Sequence, residues 1–474
     1  MNDAKTPWYR ELTRYHWFVL TVAALGWLFD TMDQQLFTLA RRPAMQELLA
    51  VPAPPDETSE AAKLRKDKFA KDVADYGGYA TSIFLIGWAT GGLGFGILGD
   101  RIGRAKTMLF TILLYSLFTG LSAFSRGFWD FAFYRFLTGL GVGGEFAVGV
   151  ALVAEVMPDN ARAYALGLLQ ALSAVGNITA ALINIGFGQM QESGLIGSLT
   201  IFGTKLTAWR LMFVVGTVPA LLAVVIRRRL KEPERWQAVA HDGTAVKQLG
   251  SYGQLFGDPR WRKNAIVGLC LAFAGVVGLW GIGFFAPDLV RSVFTQHFTE
   301  QGLTKEEVEA KLFLWTGINS VMQNLGGFFG IYAFSVITHR IGRRYSFAIA
   351  FIAALISTAF FFWYVGRLSD LFWMTPLMGF CQLALFGGYA IYFPELFPTR
   401  LRSTGVSFCY NVGRFIAAVG PFMLAKLTTD IFTKAHGYER EPMRYAGVAM
   451  CAVFLLGLVV LPFAPETKGR PLPE

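Results

Sequence analysis

Charge is scarce in this chain. Asp, Glu, Lys and Arg supply 16% of its residues, against roughly 25% in an ordinary soluble domain. Hydrophobic residues reach 54% and mean hydropathy is +0.43. The cores of the roughly two or three soluble domains expected at this length could not hide so much apolar sequence, so water-soluble architectures are excluded and a bilayer acts as solvent. Cysteine is nearly absent. The four present (Cys270, Cys381, Cys409 and Cys451) fall inside apolar stretches without metal-ligand spacing. They read as small hydrophobes in helix packing rather than as a disulfide framework. Five scattered histidines form no zinc-type cluster. The segment nearest to a phosphate-cradling loop, Gly99 to Thr107, reads G-D-R-I-G-R-A-K-T, with the wrong spacing for G-x-x-x-x-G-K-[ST]. ATP-driven chemistry is therefore excluded. With no nucleophile–base pattern either, no enzyme activity, cofactor or metal is expected. A cleavable signal peptide is also missing: the first apolar stretch runs from Trp17 through Leu39, too long for such a leader, and reads as an uncleaved first span.

What is present is a series of long apolar runs. A span needs about 20 mostly apolar residues, and twelve candidates occur, at 15–40, 77–98, 107–125, 128–156, 162–187, 208–228, 264–288, 312–336, 345–364, 371–393, 403–427 and 444–463. Their length and uniformity require helices rather than barrel strands. The net charge of +10 is not a nucleic-acid signature, because the basic residues cluster at the ends of apolar runs. Arg101, Arg104 and Lys106, then Arg227 to Arg229, then Arg340, Arg343 and Arg344, then Arg400 and Arg402 all follow even-numbered spans. The positive-inside rule puts both termini in the cytoplasm, in the plasma (cell inner) membrane. The polar segments 45–75 and 291–311, the latter with a short helix-compatible stretch from Lys305 to Lys311, read as solvated caps on the other side.

Two motifs recur at nearly one offset. Arg101-Ile-Gly-Arg104 returns as Arg340-Ile-Gly-Arg343, 239 residues on, and Glu155-x-x-Pro-x-x-x-Arg162 returns as Glu395-x-x-Pro-x-x-x-Arg402, 240 residues on. The expected fold is an all-α integral membrane protein of twelve transmembrane helices in two pseudo-symmetric six-helix bundles. The first bundle is 1–230, a cytoplasmic linker 231–262 and the second bundle 263–474, with a site at mid-membrane between the repeats.

The segment Gly96 to Lys106 resembles the loop 2–3 signature of the major facilitator superfamily. Arg135 to Glu145, Pro394-Glu395 to Arg402, and Pro465-Glu466-Thr-Lys-Gly469 are similar to other signatures of its sugar porter and metabolite:proton symporter branch. The resemblance implies secondary transport by alternating access, with gating charges at Asp100, Arg104, Glu155 and Glu395. His339 stands where the second loop signature carries an acid, and Lys231-Glu-Pro-Glu-Arg235 replaces the sugar porters' Pro-Glu-Ser-Pro-Arg. Sugar-binding polar residues are not evident in the second half.

Asp30, Asp33 and Gln34 share one face of span 1. Two carboxylates in mid-span are costly and must face the interior. Burial and mutual repulsion favour a proton on at least one of them; the alternative is a permanent pair with a buried arginine. Glu145 is a second proton-coupling candidate. Arg135 and Arg414 offer a bidentate fork to an anionic substrate, or to a permanent acidic partner. Gln34, Gln170, Asn177, Gln323, Asn324, Gln382, Tyr389 and Asn411 are candidate substrate contacts, with Asn319 behind them; any single one is more often an interhelical hydrogen bond than a ligand contact, and Trp280, which could stack on an aromatic substrate, is more often lipid or core packing. Arg101, Arg162, Arg340, Arg343 and Arg402 join the four acidic and basic gating positions above. The expected function is proton-coupled symport of a small organic anion, a carboxylate or aromatic acid, with the solute, protons and lipid as partners, no nucleic acid, and a monomeric working unit. The alternatives are a sugar or polyol symporter and, remotely, a membrane sensor that does not transport.

Overall fold

The structure is a computed structural model that describes residues 7–50, 59–192, 196, 200, 201, 203–241, 249–417, 423, 427–432 and 441–473. It is helical throughout, apart from one small hairpin pairing Thr200–Ile201 with Thr204–Lys205. The first bundle holds α1 (Arg14–Leu48), α2 (Ser59–Ile102), α3 (Arg104–Ser122), α4 (Phe128–Val156), α5 (Asp159–Glu192) and α6 (Ala208–Ile226). The second holds α7 (Pro259–Leu279), α8 (Lys305–Ile341), α9 (Arg343–Tyr364), α10 (Met374–Leu396), α11 (Arg402–Ala417) and α12 (Pro442–Phe463). Ten of these contain windows long and apolar enough to cross a membrane. The other two are α1, which carries the buried acids, and α11, whose expected span 403–427 runs on past the described residues.

Packing separates centre from rim. The apolar window of α4 is 83% buried and that of α12 only 39%, so α4 is an interior helix while α12 shows much of its surface to lipid. Trp129, Leu221, Val459 and Phe463 point outward, as an apolar solvent permits.

The internal repeat is visible in the backbone. Gly103 (φ 113°) and Gly342 (φ 93°) make the same sharp turn between α2 and α3 and between α8 and α9, a conformation that side chains with a Cβ disfavour. Where the bundles cross, Gly96 of α2 lies against Ser407 of α11, and Gly167 of α5 against Ser335 of α8. Small residues at such crossings let helices approach closely. The offset of the repeat relates Gly96 to Ser335 and Gly167 to Ser407, so the two crossings use the same Gly–Ser contact with the roles exchanged.

Three expectations change. The polar segment 45–75 is mostly helical, because the Ala-, Lys- and Glu-rich stretch after Ser59 extends α2 outward with good helix formers. The segment 291–311 is more helical than a loop: a helix, Ala286–Glu300, fills its first half, and α8 begins at Lys305, where the sequence offers a helix-compatible stretch. Span 7 is not one continuous helix. It widens into a π turn at Val277–Ile282 and tightens into a 3-10 turn at Gly283–Phe285 before that helix resumes. Gly278, Gly281, Gly283 and Pro287 crowd this stretch, and such residues break helix regularity.

Candidate functional site

Every side chain of the candidate site lies on a spanning helix, and the arrangement separates into groups. The first group surrounds Asp30. This residue is fully buried in α1, and neither carboxylate oxygen has a hydrogen-bond partner of normal geometry among the described residues. The Gln34 amide lies alongside, and the charges facing Asp30 are Glu145, Asp33 and Arg414. Glu145 of α4 is 1% exposed, and both its oxygens are also unpartnered among the described residues. It occupies the space a Cβ on Gly26 would need, one helical turn from Asp30 on the same face of α1. The Tyr115 hydroxyl of α3 faces the same carboxylates, and Gln170 of α5 is buried with an unpartnered carbonyl oxygen among the described residues. Buried polar atoms are normally satisfied. Here the unsatisfied ones gather where α1, α3, α4 and α5 meet.

Arg414 completes the group from the second bundle. Its guanidinium stands 3.8 Å from the centre of the Trp88 ring and 4.2 Å from that of Tyr410. It donates to the Asn411 carbonyl oxygen at 3.3 Å, and its Nε is unpartnered among the described residues. Half-buried and held by aromatic faces, it stays charged and keeps donors free. Tyr410 stacks on Phe146 at 4.3 Å, and Phe146 lies 4.5 Å from Trp27. An aromatic column thus runs from α1 through α4 to α11, beside the two carboxylates.

The second group is an ion pair. Asp33 and Arg135, both fully buried, approach to 3.7 Å. Asp33 accepts from the Thr119 hydroxyl at 2.8 Å, while Arg135 donates to Ser122 and Thr138 and lies over Phe37 and Phe213. Neighbours on one face of α1 therefore have different surroundings: Asp33 has a cation and a hydroxyl, Asp30 has neither within bonding distance.

The remaining amides fall elsewhere. Gln323 donates to Gln382, which donates to Thr358, and Asn319 accepts from Thr375, so these hold the second bundle together. The Tyr389 hydroxyl donates to the Leu271 carbonyl. Asn411 donates to Ser407 and to Gly143 across the bundles. Asn177 donates to the Asn324 carbonyl oxygen at 3.0 Å, joining α5 to α8, and both line a cavity of about 190 Å³ between the bundles. Trp280 belongs to the π turn, and its side chain lies outside the described residues.

The basic end of the molecule is closed. Asp100 accepts from the Ser403 and Thr404 backbone N–H groups at 3.0 and 2.8 Å and from the Thr404 hydroxyl at 2.6 Å, which joins α2 to the first turn of α11. Arg402 donates to Glu155 at 2.6 Å, and Arg104 to the Thr399 carbonyl at the same distance. Each bundle repeats one fork inside itself, Arg104 on Glu155 (3.1 and 2.9 Å) and Arg343 on Glu395 (3.0 and 2.7 Å). The crossings are unequal. Arg162, the repeat of Arg402, pairs with Asp159 instead of Glu395, and His339, the repeat of Asp100, meets Tyr164 ring to ring at 5.2 Å. Arg101 donates to the Leu249 carbonyl of the linker, and the Arg340 carbonyl accepts from Lys468.

Sequence reasoning missed the helix caps behind this end. Glu232 accepts from the Ala105 and Lys106 N–H groups, and Glu466 from those of Arg343 and Arg344. Each sits under one of the positive-φ glycines, at the positive end of a helix dipole. Burial alone would raise the Glu466 carboxyl, but these donors and Arg343 hold it below its ordinary range. The caps are Glu232 of Lys231-Glu232-Pro233 after span 6 and Glu466 of Pro465-Glu466 after span 12, so no shared Pro–Glu pair marks both in the sequence.

The sequence profile of the family described as "Sugar (and other) transporter" matches residues 49–249 and 372–474. A probable 4-methylmuconolactone transporter of Cupriavidus pinatubonensis is 28% identical, covering 83% of this chain and 82% of its own. A cis,cis-muconate transport protein of Acinetobacter baylyi is 27% identical, covering 74% and 78%. Among solved structures, the major facilitator superfamily proton:xylose symporter bound to 6-bromo-6-deoxy-D-glucose superposes with a TM-score of 0.68 over 97% of this chain and 98% of that one, at 17% identity, a likeness of fold. With its two helical bundles, repeated turns and closed basic end, the chain belongs to the sugar (and other) transporter family of the major facilitator superfamily and is a secondary transporter of small solutes.

Proposed function

We propose that the protein is a proton-coupled symporter of a small organic acid, working as a monomer in the cell inner membrane with its basic end in the cytoplasm. The observation that carries the reading is Asp30: fully buried, with both oxygens unpartnered among the described residues. An ionised carboxylate in such a place is costly. The helices can move past one another only when it carries a proton or meets a cation. Glu145 shares this duty. Arg414, held by Trp88 and Tyr410 and facing Asp30, supplies the carboxylate anchor. A proton on Asp30 and an anion on Arg414 together discharge the interior. The gates at Asp100 and at the Glu155–Arg402 contact then release, while Asp33–Arg135 stays as a structural pair. The muconate and muconolactone relatives support an organic acid.

The test is uptake of labelled benzoate into proteoliposomes under an inward proton gradient. Wild type should accumulate benzoate. Asp30→Asn should lose accumulation while still exchanging benzoate at equal concentrations, and Arg414→Ala should lose both. Accumulation by Asp30→Asn at the wild-type level would overturn the reading. A second reading, a sugar or polyol symporter, draws on the neutral amide lining of the cavity. D-xylose competing with uptake where benzoate does not would select it.

A further inference from the structure

Three acids step down the inside of the first bundle. α1 leaves the basic end, where the Tyr15 hydroxyl exchanges hydrogen bonds with the Lys231 backbone. Asp33 therefore lies outermost, Asp30 about one turn further in, and Gly26 about one turn further still. The Glu145 carboxylate of α4 fills the space beside Gly26, so Glu145 is the acid nearest the basic end. Asp33 is held by Arg135 and the Thr119 hydroxyl. Asp30 and Glu145 are both buried, and neither has a hydrogen-bond partner of normal geometry among the described residues. They do not bond each other, so a proton that reaches Asp30 from outside has no direct step to Glu145.

The Tyr115 hydroxyl of α3 faces both acids. Its charged neighbours are Glu145, Asp30 and Asp33, and the Ser116 hydroxyl lies beside it. It is fully buried and has no hydrogen-bond partner of normal geometry among the described residues, although a buried tyrosine hydroxyl normally finds one. α3 can come this close because α4 lacks a side chain at the contact. A Cβ on Gly141 would stand 2.7 Å from the Tyr115 backbone nitrogen and 2.9 Å from the Tyr115 Cβ. A phenol donates and accepts through one oxygen, so this group can take a proton from one acid and give one to the other.

We infer that Tyr115 hands the transported proton inward from Asp30 to Glu145. Protonated Asp30 gives its hydrogen to the phenol oxygen while the phenol hydrogen passes to the Glu145 carboxylate. One O–H bond breaks and one forms at the phenol, which ends neutral; Asp30 ends ionised and Glu145 protonated. The step is favoured once the solute anion has left Arg414, because the freed guanidinium faces Asp30 and attracts its new charge. Solute release and proton advance are thereby linked, and Glu145 is the acid that gives the proton up at the basic end. The hand-off rests on the proton-symport reading.

The experiment follows labelled benzoate in proteoliposomes in two modes: accumulation under an inward proton gradient, and exchange at equal pH and equal concentration on both sides. Exchange needs no proton release, because the loaded and protonated form shuttles. Tyr115→Phe keeps the ring and loses the hydroxyl. It should slow initial accumulation at least tenfold and leave exchange within threefold of wild type. In Glu145→Gln, which lacks the receiving acid, adding Tyr115→Phe should slow the residual accumulation less than twofold, because the two groups act in one step. Tyr115→Leu serves the same test if Tyr115→Phe does not fold. Accumulation by Tyr115→Phe at the wild-type rate would overturn the hand-off alone. So would equal loss of both modes in a variant that melts as wild type does, or a full further loss in the Glu145→Gln background. Failure of the wild-type protein to accumulate benzoate would overturn the proton-symport reading and the hand-off together.

Discussion

Replacing Asp100 by Asn changes no shape and removes one charge, at the point where α2 meets the first turn of α11. Asp100 accepts three hydrogen bonds from the other bundle, two from backbone N–H groups and one from the Thr404 hydroxyl, and one ion pair from Arg104 at 3.1 Å. Hydrogen bonds to a charged acceptor contribute about 1.5–3 kcal/mol each and those to a neutral one about 1 kcal/mol. Asn keeps one acceptor oxygen and turns an N–H toward a backbone N–H. One charged bond is lost and the others weaken, so the closed state should lose on the order of 3 kcal/mol relative to a state in which the bundles part and water reaches Asp100. That shifts the closed-to-open ratio on the order of 100-fold. The readout is alkylation of a cysteine placed at Ser403, which is fully buried in the closed structure, in a chain whose four native cysteines are alanine. A membrane-impermeant maleimide reacts only with the open population, so the rate tracks that population when opening is fast. Asp100→Asn should raise the rate at least tenfold. A rate within twofold of the parent would show that these bonds do not hold the basic end shut.

Removing either Asp33 or Arg135 leaves the other charge buried without its partner, at a cost of about 3–5 kcal/mol. Asp33→Asn and Arg135→Met should each lower the melting temperature in detergent, and the double variant should regain most of the loss. Additive losses would mean that the 3.7 Å approach is not an energetic pair. Glu466, which follows α12, is held below its ordinary carboxylate range by backbone N–H donors that outweigh its partial burial. A depressed folded value means that its stabilisation is present above the unfolded value of about 4.3 and is lost as pH falls through the folded one. The melting temperature of Glu466→Gln should therefore lie below wild type at pH 7, and the gap should close below about pH 4. A gap that is constant with pH would place the effect in packing rather than in charge.

The fold was legible because membrane helices must satisfy their backbone internally and run about 20 residues, so hydropathy delimits most of them. The repeated Arg-Ile-Gly-Arg and Glu-x-x-Pro-x-x-x-Arg runs disclosed the duplication, which the structure returns as paired glycine turns and paired arginine–glutamate forks. The break in α7 was written in Gly278, Gly281, Gly283 and Pro287, yet an apolar run outweighs glycines in a hydropathy reading. Partners across helices were not legible. Asp30 and Asp33 share a face, and nothing in their spacing says that Arg135 reaches one and leaves the other bare. That depends on how α4 crosses α1, which the spacing of the acids does not carry. Arg414 likewise reads as a lone mid-span charge until α2 brings Trp88 beneath it. The linker and tail glutamates that cap α3 and α9 look like ordinary solvated charge. The cavity wall escaped notice because Gln35, Asn184, Thr316 and Ser320 carry no charge and come from separate helices.

The central claim is that a proton travels with the solute through Asp30. The most direct test is the pH of a weakly buffered medium around proteoliposomes, followed with a dye as benzoate is added without an imposed gradient. Wild type should draw protons inward with the solute and make the medium alkaline. Asp30→Asn should leave the pH flat while labelled benzoate still crosses. Benzoate crossing the wild-type protein with no change in external pH, or an alkaline shift that survives Asp30→Asn, would contradict the account.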